Sequence, residues 1–531
     1  MQSKTLLSLL AATGAFLHAE MVSAQAVPPS VRTPQADQTL GTQVSGNGNN
    51  FNITGGLNRG QTLFHSFKDF SIPTGGAANF NNPVGTRDII TRVTGNLFSD
   101  INGTLNSNGA NFLLINPNGV VFGPNARLNV GKAFAASTAS GVDLIDGQGR
   151  QITFGTKPGG DAPLLKINPN VFLNISRLNM GASVPKNPGI VNYGKLQTNN
   201  DSQYIGLIGG NVTLDGKYGG GKIIAPGGRV DLGGLNSAGT VSTDAQGLVF
   251  GGNGLVRSDV LLDNVASVNT PANKTLGTVK PFFSDLAVAG SNININANNL
   301  NILKTSKEAS SLSAGLGKNS GIKTLPAGDI NINATGRVSL DNADIRNTIR
   351  PGAEGKIGDI NINANSLSLI NNSDISTSNA LGKGDAGNIN VKTTGDISIV
   401  GTTPQSTQVT TLKSNDSSIS SDTNGQGNTG KITIDTRGKL LLLNGGNIAS
   451  RIGPTGVGKG NDIKILAQAI DLTNGSSIIT DNISKIDVKG NENKKIAQEL
   501  GFTDFLSKIG ADNVGGKGDA GNIDIKTTGD I

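Results

Sequence analysis

The stretch G-D-I-N-I-N-A-T-G-R-V-S-L, Gly328–Leu340, carries two apolar side chains at a spacing of two, Ile330 and Ile332, and then a second such pair, Val338 and Leu340. Alternate side chains of an extended strand point to the same face, so each pair predicts a short strand with one buried side. The Thr-Gly dipeptide between the pairs predicts a turn. The stretch therefore predicts two short strands that meet at a corner.

Five further segments of the second half repeat this pattern. They begin at Ser291, Gly358, Gly387, Gly430 and Asn461. In several copies a third apolar position follows, at Ile345, Ile375, Ile448 and Ile478. Three short strands in a unit of about 30 residues are typical of one coil of a β-solenoid. Because a single coil cannot bury its apolar row, the coils must stack, and the sequence predicts an all-β parallel β-helix.

Asparagines recur at equivalent positions of the repeat, for example Asn331, Asn361 and Asn390. Stacked asparagines predict polar ladders along the outside of the solenoid. With coils of about 20 to 30 residues and about 4.8 Å per coil, we expect the mature chain to form a rod on the order of 80 to 110 Å long.

Two segments depart from the repeat. Lys494–Gly510 places apolar residues at helical spacing and predicts an insertion that bears a short helix, either packed on its own coil or serving a partner. Gly518–Ile531 nearly duplicates Gly384–Ile397 and stops one residue into the expected second strand. We therefore expect a repeat region that is truncated at its C-terminus.

Three regions follow along the chain. Residues 1–26 predict a cleaved signal peptide, residues 27–270 a β-rich domain without a tidy period, and residues 271–531 the repetitive β-helix. Residues 1–26 combine Lys4, the apolar run Leu6–Leu17 and small residues at Ala24–Ala26, the pattern of a signal peptide. The alternative, a membrane anchor, needs about 20 apolar residues, and the run is interrupted soon after Leu17.

The composition favours an exported, turn-rich protein without disulfides. The 531 residues include 75 glycines, no cysteine and no tryptophan, and aromatic residues make up 4%. Stability must come from burial and backbone pairing, because no disulfide can form even though export permits one. The formal net charge of +6 is spread singly along the chain. The absence of a basic block disfavours nucleic-acid binding.

The most sharply specified local feature is the turn I-N-P-N-G-V-V-F-G, Ile115–Gly123. Asn116 suits the first position of a type I turn, Pro117 the second and Gly119 the fourth, while Asn118 tolerates the conformation between them. On physical grounds alone this is a rigid corner between two strands.

Three stretches around the turn resemble a known family. They are N-F-L-L-I-N-P-N-G-V-V-F-G-P-N-A-R-L-N-V-G-K-A-F-A-A-S-T (Asn111–Thr138), L-F-H-S-F-K-D-F-S-I-P-T-G-G-A-A-N-F-N-N (Leu63–Asn82) and T-R-V-T-G (Thr91–Gly95). Together they resemble the N-terminal secretion domain of the filamentous haemagglutinin family, the exported partners of two-partner secretion systems, in its cyanobacterial form. The resemblance covers roughly residues 30 to 270, and the repeat half is similar only in style.

The resemblance implies a right-handed parallel β-helix with an N-terminal cap that contains antiparallel strands. It also implies export through the periplasm and across the outer membrane, by a β-barrel transporter with periplasmic docking domains, to the cell surface or the medium. The family's export motif corresponds to Asn116, Pro117, Asn118 and Gly119. A second family motif, N-P-N-L, is here only Asn81–Val84. The implied function is that of an adhesin-like exoprotein whose ligand is a surface glycan or a protein.

The alternative function is that of a polysaccharide lyase or hydrolase on a β-helix scaffold. Hydrolysis needs two suitably separated carboxylates, and Asp329, Asp359 and Asp462 are candidates. At equivalent repeat positions, however, the chain has Asn292, Asn388 and Lys431, as expected of structural turn residues. We therefore predict no catalytic residues.

Cofactor and metal sites are not predicted either. Once a signal peptide is removed, His65 is the only histidine, and its neighbours Phe64 and Phe67 favour a packing or surface role. Gly219–Lys222 lacks the Ser or Thr of a phosphate-binding loop. Gly458–Asp462 faintly resembles one calcium nonapeptide, but such sites need tandem copies.

Overall fold

The computed structural model describes residues 32–157, 164, 173–181, 189–197, 203–272, 278–279, 288–289, 291–304, 309–402, 417–453, 455–482 and 519–527. These residues contain 49 strands, which we number β1–β49 in chain order, and a single-turn 3-10 helix at Gly216–Tyr218. The predicted signal peptide and the predicted insertion at Lys494–Gly510 lie outside the described residues. Within the described part of the chain, no helix has the length and apolarity of a membrane span.

Face A, the longest sheet, runs through the whole described stack. Its strands are Gln35–Ala36 (β1), Leu57–Arg59 (β4), Thr62–Asp69 (β5), Asp88–Val93 (β7), Asn111–Ile115 (β10), Ala133–Ser137 (β13), Tyr204–Ile208 (β19), Arg229–Gly233 (β22), Ile293–Ala297 (β29), Ile330–Ala334 (β33), Ile360–Ala364 (β37), Ile389–Thr393 (β40), Ile432–Thr436 (β43), Ile463–Ala467 (β46) and Ile523–Thr527 (β49). All pair in parallel except β1 and β4, which pair antiparallel with β5.

Face B holds the second strand of each coil. Its strands are Ser99–Ile101 (β8), Val120–Phe122 (β11), Ile190–Asn192 (β17), Val212–Asp215 (β20), Val260–Asp263 (β25), Leu300–Leu303 (β30), Arg337–Asp341 (β34), Ser366–Ile370 (β38), Ile397–Val400 (β41), Lys439–Leu443 (β44) and Ala469–Leu472 (β47).

The third strand of each coil lies in one of two sheets. In the first coils these are Thr42–Asn47 (β2), Asn50–Gly55 (β3), Ala77–Phe80 (β6), Thr104–Asn106 (β9) and Arg127–Asn129 (β12). In the later coils, face C consists of Lys195–Gln197 (β18), Lys222–Ile224 (β21), Ser267–Asn269 (β26), Ser311–Leu316 (β31), Asp344–Ile349 (β35), Asp374–Asn379 (β39), Ser418–Thr423 (β42), Asn447–Ile452 (β45) and Ser477–Asn482 (β48). The prediction of three strands per coil is confirmed, as is the parallel β-helix.

Antiparallel strands occur at the N-terminal end, as the resemblance implies. The hairpin β2–β3 pairs antiparallel, and β1 and β4 flank β5. Two small two-stranded sheets complete the described strands. They are formed by Thr278–Val279 (β27) with Val288–Ala289 (β28), and by Gly321–Ala327 (β32) with Glu354–Ile357 (β36).

A five-stranded antiparallel sheet, which we call the outer sheet, packs on face A of the first coils. It comprises Gly141–Asp146 (β14), Gln151–Gly155 (β15), Leu173–Met180 (β16), Gly239–Asp244 (β23) and Gly247–Gly251 (β24). The main apolar core fills the interior of the solenoid from Ile53 to Ile478, and a second core lies between face A and the outer sheet. This second layer was not predicted from the sequence.

The repeat aligns in register from coil to coil. Ile330 pairs with Ile360 and Ile360 with Ile389 in face A, and Val338 pairs with Leu367 in face B. The third apolar positions stack on face C, where Ile345 pairs with Ile375. All these side chains are buried. The period-two pattern therefore predicted both the strands and their inward faces correctly.

The expected rod length of 80 to 110 Å is too large for the described stack. Face A contains thirteen strands in parallel order from β5 to β49, which corresponds to about 58 Å at about 4.8 Å per step. The expected length would require all residues of the mature chain to lie in stacked coils. Some connections instead leave the stack, and the one between β13 and β19 contributes three strands to the outer sheet.

Candidate functional site

The Asn-Pro corner connects β10 on face A to β11 on face B. The amide N–H of Gly119 donates to the carbonyl of Asn116 at 3.0 Å, which closes the predicted four-residue turn. The side-chain Oδ1 of Asn116 accepts from the backbone N–H of Asn118 at 3.0 Å and so stiffens the turn from within. Gly119 has a φ of 111°, a conformation that favours glycine. The sequence prediction of a rigid corner is confirmed.

Asn116 is fully buried and ties the corner to the preceding coil. Its Nδ2 donates to the carbonyl of Leu97 and to Oγ of Ser99, both at 3.0 Å. Its backbone N–H donates to the carbonyl of Ser137 in the following coil at 2.9 Å. Losing this amide would leave several buried polar groups unpaired, which is costly. Asn116 thus stabilises the corner from within and has no exposed surface of its own.

The outward side of the corner consists of Pro117 and Asn118, which are half-buried. Nδ2 of Asn118 donates to the carbonyl of Gly95 at 2.8 Å. Leu97, next in the same preceding turn, is 42% exposed and apolar. These three side chains form a small accessible ridge, which we call the corner ridge.

The partial copy of the motif at Asn81–Val84 is a separate turn. In Asn81–Val84, Val84 is fully exposed and the carbonyl of Pro83 accepts from the N–H of Thr86 at 3.2 Å. This segment forms an exposed turn. The sequence repeats the N-P-N part of the turn at Asn168-Pro169-Asn170, which lies outside the described residues.

Sequence reasoning overlooked the role of Arg92, which sits inside the T-R-V-T-G stretch. Arg92 is fully buried, and its Nε donates to Oγ of Ser66 at 2.7 Å. Its Nη1 donates to the carbonyl of Gly155 at 2.6 Å, and its guanidinium stacks at 4.5 Å from the ring centroid of Phe154. Arg92 therefore ties face A to the outer sheet. The available signal was a cation next to Val93 in a strand that begins with Asp88-Ile89-Ile90.

The candidate carboxylates are parts of side-chain ladders at a coil corner. Oδ1 of Asp329 accepts from the backbone N–H of Asp359 at 2.8 Å, and Oδ1 of Asp359 accepts from the N–H of Asn388 at 2.8 Å. Asp462 does the same for Asn522 at 2.8 Å. Burial raises the pKa of Asp329, whereas the hydrogen bond from Asp359 lowers it. Each carboxylate thus satisfies the next coil, in the way the interchange with asparagine predicted.

His65 packs inside the N-terminal coils. It is 1% exposed, its Nδ1 lies 3.2 Å from Oγ1 of Thr42, and its ring contacts that of Phe80 edge-on at 5.2 Å between centroids. Burial lowers the pKa of His65 to about 4, so the ring is neutral near pH 7. Of the two predicted roles of His65, packing and surface, the structure shows packing.

The stretches Gly219–Lys222 and Gly458–Asp462 also form hydrogen bonds within the coils. Gly219 ends the 3-10 helix with its N–H on the carbonyl of Gly216. The backbone N–H of Lys459 donates to Oδ1 of Asn428 at 2.8 Å. Within the described residues, no group of three or more His, Cys, Asp or Glu side chains is arranged to hold a metal ion.

Comparison with known proteins identifies the N-terminal coils. The family model of the TPS secretion domain matches residues 32–254, the region in which the sequence resemblance was found. No curated protein matches the chain.

Two solved structures are similar at low identity. The HMW1 secretion domain from Haemophilus influenzae is 16% identical, with a TM-score of 0.39, over 84% of this chain and 98% of the other. A filamentous hemagglutinin secretion domain is 14% identical, with a TM-score of 0.23, over 68% of this chain and 98% of the other. At these TM-scores the likenesses carry no weight of their own, and the assignment depends on the family match. Residues 32–254 thus match a TPS secretion domain, and this match supports the predicted export by two-partner secretion.

Proposed function

We propose that the protein is an adhesin-like exoprotein in which the TPS domain directs export and the stacked repeat coils present the binding surface outside the cell. One observation carries the proposal. The coils that match the TPS domain continue into the repeat coils without a break, since β22 pairs in parallel with β29 and β20 with β25. The export domain and the displayed region therefore form one stack, built in sequence order.

The order of pairing suits export of an unfolded chain. In all three faces each strand pairs with the strands of the coils immediately before and after it. A chain that emerges N-terminus first can thus add each coil to a finished template. Folding outside the membrane then opposes backsliding without any nucleotide chemistry at the transporter.

For the transporter we propose recognition through Asn116, Pro117, Asn118 and Gly119, with distinct roles. Asn116 and Gly119 set the geometry of the corner, because both are buried. Pro117 and Asn118, with the neighbouring Leu97, supply the surface that periplasmic docking domains of the barrel contact. An apolar ridge beside half-buried polar groups has the character of a small protein-binding surface.

Catalysis is not part of the proposal. The candidate carboxylates Asp329 and Asp359 spend their Oδ1 atoms on backbone N–H groups of the next coil. A hydrolase needs an acid and a base that converge on one substrate bond. The carboxylates of the ladder instead each bind the backbone of the next coil. The lyase or hydrolase alternative is accordingly disfavoured.

The test is export with and without the cognate barrel, scored as protein accessible to external protease. We expect Asn116→Ala, Pro117→Ala to lower barrel-dependent export by about tenfold, because a lost buried amide leaves unpaired groups in the corner. The matched control is Pro124→Ala, Asn125→Ala, an exposed Pro-Asn turn of the same coil, which should be exported normally. Equal export of both variants, or export without the barrel, would refute the assignment of the corner.

A second variant, in the corner ridge, distinguishes an effect on folding from an effect on recognition by the transporter. The double variant Leu97→Ser, Asn118→Ala leaves Asn116 in place, so the purified protein should keep its far-ultraviolet circular dichroism. It should nevertheless compete poorly with the parent protein for binding to the barrel. Adhesion is scored separately, by attachment of cells with and without the exported protein. Unchanged attachment would contradict the adhesin function while leaving the export assignment intact.

A further inference from the structure

A groove runs along the outer side of face A where the outer sheet ends. Two adjoining cavities of about 500 and 620 Å³ make up the groove. They share Gln246, Asn333 and Asn363 in their linings, so they form one continuous depression. One wall is the β23–β24 hairpin, and the floor is formed by successive coils from β29 to β43.

The floor is a grid of asparagine amides in register. One column contains Asn331, Asn361 and Asn390, which are direct partners in neighbouring strands. The second column contains Asn333 and Asn363, two residues further along the same strands. Alternate residues of a strand point to the same side, so both columns face outward into the groove.

The amides of the first column bind one another along the rod. Nδ2 of Asn361 donates to Oδ1 of Asn331, and Nδ2 of Asn390 donates to Oδ1 of Asn361, each at 2.9 Å. An asparagine amide has two N–H donors and an oxygen with two lone pairs. After the ladder bonds, each inner rung retains one donor and one acceptor direction for a ligand. The ladder also holds the amides in fixed orientations, so little side-chain entropy remains to be lost on binding.

The N-terminal end of the grid is closed by the hairpin. Asn294 and Asn331 are buried there, because the hairpin covers this end of the ladder on the outer side of face A. The backbone N–H of Leu248 donates to Oδ1 of Asn296 at 3.0 Å, which seats the hairpin on the floor. Beyond it, Asn363 is exposed and Asn390 half-buried, and the groove opens.

The wall adds an apolar ring to the polar floor. Phe250 is half-buried in the hairpin, and the guanidinium of Arg257 lies 5.0 Å from its ring centroid. Nη1 of Arg257 donates to the carbonyl of Asn333 at 2.9 Å, so the wall is fastened to the floor. Such a ring beside amides suits a ligand that has apolar C–H faces and polar edges.

The charges of the lining balance. The cationic side chains are Arg257 and Lys392, and the anionic ones are Asp244 and Asp435. The remaining polar lining is uncharged amide or hydroxyl. A balanced groove gives no electrostatic preference for an acidic or basic ligand, which favours an uncharged one.

We propose that this groove binds an extended, uncharged oligosaccharide that lies along the rod axis. Sugar hydroxyls both donate and accept, as the free amide directions require. The coil spacing of about 4.8 Å is roughly the length of one pyranose unit, so successive sugars would meet successive rungs. Five coils, with four steps between them, extend about 19 Å, room for about four sugar units. The proposal rests on the adhesin function and supplies its ligand class.

The test is calorimetric titration of the purified full-length protein with β-1,4-linked glucose oligomers of two to six units. We expect affinity to rise with each unit up to about four and then to level off. Asn363→Ala should weaken binding of the six-unit oligomer about fivefold, the value of one lost hydrogen bond. The matched control is Asn129→Ala, an exposed asparagine of β12 that donates to Asn106 of the paired strand β9 at 3.2 Å. These strands do not belong to face A, so this variant should bind normally. Both variants should keep the thermal midpoint of the parent within a few degrees.

Three results would overturn the proposal: no binding of any β-1,4-linked oligomer, equal loss in both variants, or tighter binding of a heparin oligosaccharide or of a Gly-Ser peptide. The adhesin function is judged apart from this, by attachment of cells that display the protein. Attachment that six-unit oligomers do not inhibit would reject the groove as the adhesive site while sparing the adhesin function. Oligomer binding by a protein that confers no attachment would do the reverse.

Discussion

The TPS coils and the repeat coils use the same face A in different ways. In the TPS coils the strands are buried on both sides, so that every residue of β7 and β13 is buried. In the repeat coils burial alternates, as in β43, where Ile432 and Ile434 are buried and their neighbours are not. The difference comes from the outer sheet, which covers face A only as far as β29. One scaffold thus has a closed region and an open region.

This difference decides how specific each sequence must be. A strand packed on both sides must fit two cores, so β10 reads as F-L-L-I without alternation. A repeat strand must fit only the interior, and its outward positions are free to carry asparagine. The TPS region is therefore recognisable from its wording, whereas the repeat region is recognisable from its period.

The largest expected difference between the TPS coils and the repeat coils concerns the second core. Phe154 is 1% exposed and packs edge-on against Phe64, with 5.0 Å between ring centroids. We expect Phe154→Ala to destabilise the TPS coils by about 3 to 5 kcal/mol, the range for a buried Phe→Ala change. Hydrogen exchange should accelerate in β5, β7 and β14, and remain unchanged in β33 and β37, because coils contact only their neighbours.

Phe250→Ala serves as the matched control, since Phe250 belongs to the same outer sheet but is only half-buried. It should cost about 1 kcal/mol, in proportion to the smaller area removed from water. Equal acceleration of exchange in the repeat strands by Phe154→Ala would show that the two regions unfold as one unit.

Acidification should change the local stability of the two regions in opposite directions. Burial lowers the pKa of His65 to about 4, so the unfolded chain binds the proton more readily and stability falls as pH drops from about 6.5 to 4. Burial raises the pKa of Asp344 to about 6, with Arg346 opposing the shift and Asp374 adding to it. The folded chain then binds the proton more readily, and stability is lost as pH rises from about 4 to 6.

Between pH 7 and 4.5 we therefore expect β5 to lose about 2 kcal/mol of protection and β35 to gain about 2 kcal/mol. The measurement is hydrogen exchange corrected for the intrinsic rate at each pH. His65→Gln should abolish the first trend and Asp344→Asn the second. The same trend in both strands would contradict the assignment of these groups.

The smallest expected effect concerns the exposed ladder. Asn361→Ala removes two amide bonds of 2.9 Å from a half-buried rung, and we expect a local loss of about 1 to 2 kcal/mol at about 1 kcal/mol per bond. Asn363→Ala removes one bond, to Asn333, at an exposed position, and should cost about 0.5 kcal/mol. Exchange in β37 and β40 measures both. Equal effects would mean that burial plays no part in the ladder.

The site divides in the same manner as the fold. The residue types N-P-N-G predicted a rigid turn between two strands, because proline fixes φ and glycine accepts the fourth position. They did not predict that Asn116 would be buried while Pro117 and Asn118 remain accessible. That partition depends on Leu97 and Ser99 of the preceding coil, which are distant in sequence and adjacent only in the stack.

By itself, the sequence determined the features that depend on local spacing. The period-two pairs around Ile330 fixed the strands, their inward faces and the stacking of coils, since side chains alternate along any strand. The turn chemistry fixed the corners.

Only the tertiary structure decided what covers the coils. Strands β14–β16 and β23–β24 return to face A from connections that carry no periodic signal, and they create the second core, the buried Arg92 and the wall of the groove. Such contacts join residues far apart in the chain, and their energies depend on packing in three dimensions, which spacing along the sequence does not encode.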